Sequence, residues 1–153
     1  MRKAFIGGRV DVFHPVCING YIYDVNSLYP AQMCKPMPVG PPVVSSDTNL
    51  DNYFGVVYAK IKTPMDIKCP PLPYRCDQKL FNPAGSFSGW YFSEELKFVR
   101  DTYGYEIDVI GGVKFEKGYD VFTDFITRYY DIKSKKDKNY YFILFPLGTI
   151  HYR

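Results

Sequence analysis

Asp24 directly follows the apolar run Tyr21-Ile22-Tyr23 and directly precedes Val25-Asn26-Ser27-Leu28-Tyr29-Pro30, which reads as the start of a helix. A strand end aims its last side chain into the space outside the sheet. A carboxylate there can bind magnesium, which takes a few carboxylates together with substrate phosphate oxygens. The helix start beside it offers backbone N–H groups without intrahelical partners, and these attract phosphate. A metal ligand and a phosphate cradle a few residues apart suit nucleotidyl transfer through two metals roughly 3.5–4 Å apart. The same Asp, placed before a Ser, can equally do no more than cap the helix.

A two-metal site needs a second carboxylate, so the other acids bear on the choice. Asp66, Asp77, Asp101, Asp108, Asp120 and Asp124 sit in no comparable context and read as solvated surface charges. His14 and His151 have no Ser or Cys arrangement to partner them. Cys17, Cys34, Cys69 and Cys76 show no Cys-x-x-Cys spacing, so free thiols are expected rather than a zinc site or disulfides.

The elements that must position Asp24 follow from hydrophobic periodicity and turn residues. Residues 9–13 alternate as a strand does, Asn19-Gly20 signals a hairpin turn, and residues 21–24 form the returning strand. Asn26 or Ser27 caps a short helix that carries Leu28, Ala31, Gln32 and Met33. Pro30 is tolerated in its first turn. Lys35 to Pro42 contains four prolines and reads as a stiff connector, neither helix nor central strand. Tyr53 to Lys62 alternates, with Val57, Ala59 and Ile61 on the buried face. Residues 63–85 read as loop, followed by a short strand at 89–92. Ser93 caps a helix opened by Glu94 and Glu95 and closed by Gly104. Tyr105 to Phe115 reads as a long strand or strand pair bent at Gly111-Gly112. Residues 119–142 read as the longest helix, with Phe122, Phe125, Ile126 and Tyr129 forming one apolar stripe.

With 153 residues the chain can build one domain or two small lobes around a real core. The net charge of +3 and pI near 8.6 fall short of what alone marks a nucleic-acid binder. Aromatic residues make up 18% of the chain, enough to line either a core or a binding surface. No apolar run is long enough to span a membrane, and Met1-Arg2-Lys3 leads into no secretory signal. Lys133, Lys135, Lys136 and Lys138 can track a DNA backbone or simply face solvent.

Asp24-Val25-Asn26-Ser27-Leu28-Tyr29-Pro30-Ala31-Gln32-Met33 resembles the first catalytic motif of family B DNA polymerases, in their protein-primed branch of phages, linear plasmids and mitochondria. The resemblance implies an α+β fold: a partial polymerase palm with an inserted terminal-protein-binding lobe of short strands and one helix. It implies that Asp24 binds both catalytic magnesium ions, with the Val25 carbonyl assisting. Ser27 and the Leu28 amide would contact the triphosphate, and Tyr29 would lie under the sugar and exclude a 2′-hydroxyl. Phe5-Ile6-Gly7-Gly8 resembles the branch's Tyr-x-Gly-Gly motif, with Phe5 in place of Tyr, and Arg9 would meet a phosphate of the DNA. Lys133, Lys135 and Lys136 would add DNA contacts. The implied partners are DNA, deoxynucleoside triphosphates and a terminal protein.

The expected division is 1–45 as partial palm, 46–117 as the insertion and 118–153 as a long helix with an odd tail. The Tyr-x-Asp-Thr-Asp motif bearing the second metal carboxylate is absent, as is the Lys-rich fingers motif. The chain alone is therefore expected to be inactive. A terminal-protein or single-stranded-DNA binding module and a decayed reading frame are the alternatives. The strings Gly7-Gly8-Arg9-Val10 and Met37-Pro38-Val39-Gly40 look nearest the mitochondrial plasmid group, which implies a mitochondrial setting.

Overall fold

The structure, a computed structural model, describes residues 4–7, 10, 12, 14–76 and 79–134. The α+β class expected from the sequence is the class observed. The elements are α1 (Leu28–Met33), β1 (Met37–Ser45), a 3-10 turn (Leu50–Asn52), β2 (Gly55–Lys62), β3 (Tyr74–Cys76), β4 (Lys79–Phe81), β5 (Ser86–Phe92), α2 (Ser93–Tyr103), β6 (Glu106–Gly118) and α3 (Thr123–Ser134). The chain packs as two compact units, one of residues 1–22 and 38–117, the other of residues 23–37 and 118–153.

The first unit is built on β2. Its residues alternate between buried and half-buried or exposed, and Val57, Ala59 and Ile61 are sealed on the inner face as their spacing demands. Antiparallel neighbours flank it on both sides in a four-stranded sheet of order β1-β6-β2-β5. Tyr58 faces Trp90 on β5, and Ile61 faces Ile107 on β6. Helix α2 lays Leu96 and Val99 among the core residues, which also include Leu50, Tyr53, Leu72, Tyr91, Tyr105 and Val109.

The glycine bend expected in the last strand is a β-bulge. Tyr58 faces Gly111 while Ala59 faces Val109, so Ile110 is the extra residue and β6 runs on as one strand. Gly112 sits there because a Cβ would collide with the Val56 carbonyl of β2. Gly104 closes α2 in the left-handed conformation, as its position after the last apolar residue predicts.

Several expectations change. Among the described residues before Leu28 no strand forms, although Asn19 does adopt a left-handed turn conformation. A two-stranded hairpin has too little surface to hold itself without a further strand or helix against it. The proline stretch is not a connector, because residues 37–45 form β1 at the sheet edge. An edge position tolerates prolines, which lack the N–H a central strand needs on both sides. Residues 63–85 are not all loop. They contain the β3–β4 hairpin, and their base is closed by Thr63 and Gly85, whose backbones pair while Gly85 N–H donates to Thr63 Oγ1 at 2.6 Å. Ser93 does not cap α2. Its buried hydroxyl accepts the Gly55 N–H at 3.1 Å, satisfying the first amide of β2 instead. The Tyr91 hydroxyl donates to the Pro73 carbonyl at 2.8 Å, and burial holds its acidity far below that of an ordinary tyrosine, so it remains a neutral donor.

Asp47 ties the β1–β2 connection to β6. Its carboxylate accepts from Asn49 N–H at 2.9 Å, from Asn52 Nδ2 at 2.8 Å and from Lys114 Nζ at 2.9 Å. These donors, the Asn49 amide foremost and then Lys114, pull its pKa from 3.8 down to about 2. Because the folded value lies below the ordinary one, the stabilisation is full above pH 3.8 and fades as the pH falls through 2. Thermal unfolding of the wild type and Asp47→Asn should therefore differ most above pH 4 and converge towards pH 2. A gap that stays constant over that range contradicts the assignment.

Candidate nucleotide and metal site

Asp24, Val25, Asn26 and Ser27 form a turn that delivers the chain into α1, so the contiguous sequence motif is also contiguous in space. Asp24 is exposed, and so are Val25, Leu28 and Tyr29. Helix α1 packs on α3 within the second unit. The apolar stripe expected on α3 is real in spacing but only half covered. Phe125 and Tyr129 stack at 4.5 Å, while Phe122 and Phe125 keep 38% and 43% of their surface in solvent. No described residue of this unit is fully buried.

Ser27 departs from the role expected of a cap. Its backbone is left-handed, with φ 52° and ψ 42°, and its side chain makes no capping hydrogen bond. An N-cap side chain reaches the helix amides from an extended backbone, and the left-handed turn points it elsewhere. The Ser27 carbonyl still accepts the first helical hydrogen bond, from Ala31 N–H at 2.9 Å. The amides of Leu28 and Tyr29 precede that bond, and Pro30 has none. The turn thus presents one carboxylate, one hydroxyl and two backbone donors towards solvent over six residues.

That set does not by itself hold a pair of divalent cations. Among the described residues no group of three or more His, Cys, Asp or Glu stands together, and Asp24 is the one carboxylate of its turn. A two-metal site shares its cations among several acidic oxygens. No metal-dependent step follows from this chain's residues alone.

The other expected site residues are dispersed. Phe5 is 80% exposed, and the space around the missing Gly7 Cβ is open, so packing does not require the glycine. Both belong to the first unit, whereas Asp24 to Tyr29 belong to the second. Lys133 falls in the last turn of α3. Gly8, Arg9, Lys135 and Lys136 lie outside the described residues, as does the remainder of the expected helix to 142.

One surface went unread in the sequence. Lys60, Lys62, Ser86, Ser88, Glu106 and Asp108 line an open groove of about 570 Å³ across β5, β2 and β6. Only strand register brings them together, since each lies on a different short alternating run. Lys62 is already paired with Glu106 at 2.9 Å, and the balance of two lysines and two acids gives a polyanion no net attraction. Among the described residues no helix is long and apolar enough to cross a membrane.

Comparison with known proteins gives consistent results. The profile of the family described as DNA polymerase type B, organellar and viral, matches residues 1–143. A probable DNA polymerase of Ascobolus immersus is 36% identical over 153 residues, covering 94% of this chain and 12% of that protein. One from Podospora anserina is 36% identical over 140 residues, covering 90% of this chain and 11% of its own length. The DNA polymerase of Bacillus phage phi29 is 28% identical over 131 residues, covering 77% of this chain and 23% of the phage protein. Among solved structures, phi29 DNA polymerase with primer-template DNA and incoming nucleotide matches with a TM-score of 0.52 and 24% identity. That match covers 72% of this chain and 22% of the phage chain and shows a common fold. The chain therefore spans about an eighth of the fungal relatives and under a quarter of the phage enzyme.

The geometry of Ser27 yields a test of its own. A capping serine loses about 1 kcal/mol when changed to Ala. Since this hydroxyl makes no cap bond, Ser27→Ala should stay within about 0.5 kcal/mol of wild type. Ser27→Gly should be neutral or stabilising, because glycine adopts the left-handed conformation without the Cβ penalty. Denaturant unfolding measures both, and a loss near 1 kcal/mol in Ser27→Ala alone would restore the capping role.

Proposed function

The chain belongs to the organellar and viral type B DNA polymerases, and we propose that it is the part of such an enzyme that supplies the first metal carboxylate and the turn beneath the incoming nucleotide. The parent reaction is magnesium-dependent addition of deoxynucleotides to a primer hydroxyl during protein-primed replication. The observation that carries the reading is the exposed, contiguous turn from Asp24 to Tyr29, in which a carboxylate stands three residues before an uncapped helix start.

In this reading Asp24 and the Val25 carbonyl are metal ligands. The Ser27 hydroxyl and the Leu28 amide donate to triphosphate oxygens, a direction of hydrogen bonding that stabilises anionic phosphate. Tyr29, 74% exposed in the chain by itself, lies flat under the sugar and leaves no room for a 2′-hydroxyl. Arg9, Lys133, Lys135 and Lys136 neutralise DNA phosphates, and Phe5 with the Gly7-Gly8 pair contacts the template strand. A terminal protein primes synthesis and docks on the lobe that holds the four-stranded sheet. The reading also carries a mitochondrial, plasmid-type setting, resting on the strings at 7–10 and 37–40.

The chain alone should be inactive, because charge neutralisation at the transferring phosphoryl group is a dominant catalytic contribution and Asp24 supplies only part of it. With magnesium, primer-template and deoxynucleotides, the isolated chain should incorporate nothing. Residues 24–33 grafted into the corresponding turn of the phi29 enzyme should preserve primer extension. Asp24→Asn within the graft should slow extension by about 100-fold or more. Extension that survives this change removes Asp24 from the metal site, and incorporation by the isolated chain that vanishes in Asp24→Ala overturns its inactivity.

A further inference from the structure

We propose that β1 is a detachable strap, hinged at its Ser45 end, which can leave the sheet without disturbing the core of its unit. The core consists of Leu50, Tyr53, Val57, Ala59, Ile61, Leu72, Tyr91, Leu96, Val99, Tyr105 and Val109, with Ile6, Ile67, Phe87 and Ile107 packed against it. No residue of β1 belongs to either group. Val43 and Val44 on the strap are 60% and 85% exposed. Apolar burial, the main stabilising contribution to a sheet, is thus missing from this strand.

Backbone pairing is weak as well. Pro38, Pro41 and Pro42 have no N–H to donate. Because Pro41 and Pro42 are adjacent and strand amides alternate in direction, one of the two points its missing donor towards β6 in any regular ladder. Gly40 has φ +72°, a left-handed residue in mid-strand that interrupts the extended backbone.

The far end is held differently. The Tyr53 hydroxyl is shared between the Ser45 carbonyl at 3.0 Å and the Asp47 carbonyl at 2.7 Å. Lys114 on β6 bonds the Asp47 carboxylate at 2.9 Å and stands 4.6 Å from the centre of the Tyr53 ring. This knot fastens the strap to the core at residues 45–47 and leaves the stretch from Pro38 to Val44 to its depleted ladder. Pro38 is also where the chain crosses into this unit. Opening from that end adds slack at the crossing while β6, β2 and β5 remain paired.

Hydrogen exchange read by mass spectrometry on the full chain tests the strap. Amides of Val39, Gly40, Val43 and Val44 should exchange at least about 100-fold faster than those of Val57, Ala59 and Ile61. Tyr53→Phe keeps the ring and Lys114→Met keeps the stem, and each removes one bond of the knot. Both should speed exchange at 43–45 by about tenfold and leave 57–61 unchanged. Exchange of β1 at the rate of β2 overturns the strap. An unchanged rate at 43–45 in both variants overturns the hinge, and equal acceleration of both strands in both variants shows that the knot supports the whole sheet and overturns the proposal.

Discussion

Strand β2 is paired along both edges and sealed on one face, and the rest of its unit follows from that constraint. A strand in this position has no freedom of register, because a slip by one residue would turn Val57, Ala59 and Ile61 to solvent and Tyr58 and Lys60 to the core. Fixing β2 fixes β5 and β6 through their ladders. It fixes α2 too, since Leu96 and Val99 must cover the inner face and Ser93 must meet the Gly55 amide. The bulge at Ile110 lets β6 keep pairing with β2 beyond Gly111.

The unit that carries Asp24 is organised on the opposite principle. It has two helices, an exposed turn and no fully buried residue among those described. Phe122, Phe125 and Tyr130 on α3 keep large apolar surface in water. Helices in proteins derive most of their stability from a packed face, and α1 at six residues has little intrinsic tendency to persist. Residues that do chemistry are commonly set on such segments and held by a scaffold with a core of its own. Here the scaffold's core and the motif fall in different packing units.

What was legible in the sequence shares one property: it depends on neighbours in the chain. The alternation of β2, the Glu94-Glu95 opening and Gly104 closure of α2, and the glycine irregularity of β6 are each written within a dozen residues. The knot of Asp47, Tyr53 and Lys114 was not legible, because it joins residues 67 positions apart whose types occur everywhere on protein surfaces. Ser93 was misread for a related reason. Its local pattern fits a cap, but a buried strand amide 38 residues away had the stronger claim on its hydroxyl. The hairpin before Asp24 failed because a turn signal fixes where a chain reverses, not whether its arms find a sheet to join.

The site itself was legible in order but not in conformation. Seven consecutive residues were enough to match the polymerase motif, and the family match across residues 1–143 bears that resemblance out. The left-handed backbone of Ser27 could not be read, since serine rarely adopts it and the usual reading makes serine a cap. That conformation alters the physical argument for Asp24. With a capping serine, the helix start would satisfy its own amides and the carboxylate beside it would have a purely structural neighbour. With the hydroxyl turned away, the Leu28 and Tyr29 amides are left for an outside acceptor, and Asp24 stands beside donors rather than a closed cap. A carboxylate and free donors side by side recognise opposite parts of one ligand, the cation and the phosphate oxygens it neutralises. The local backbone therefore favours the binding role of Asp24 over the capping one, while the lone carboxylate keeps catalysis dependent on acids that the described residues do not bring to it.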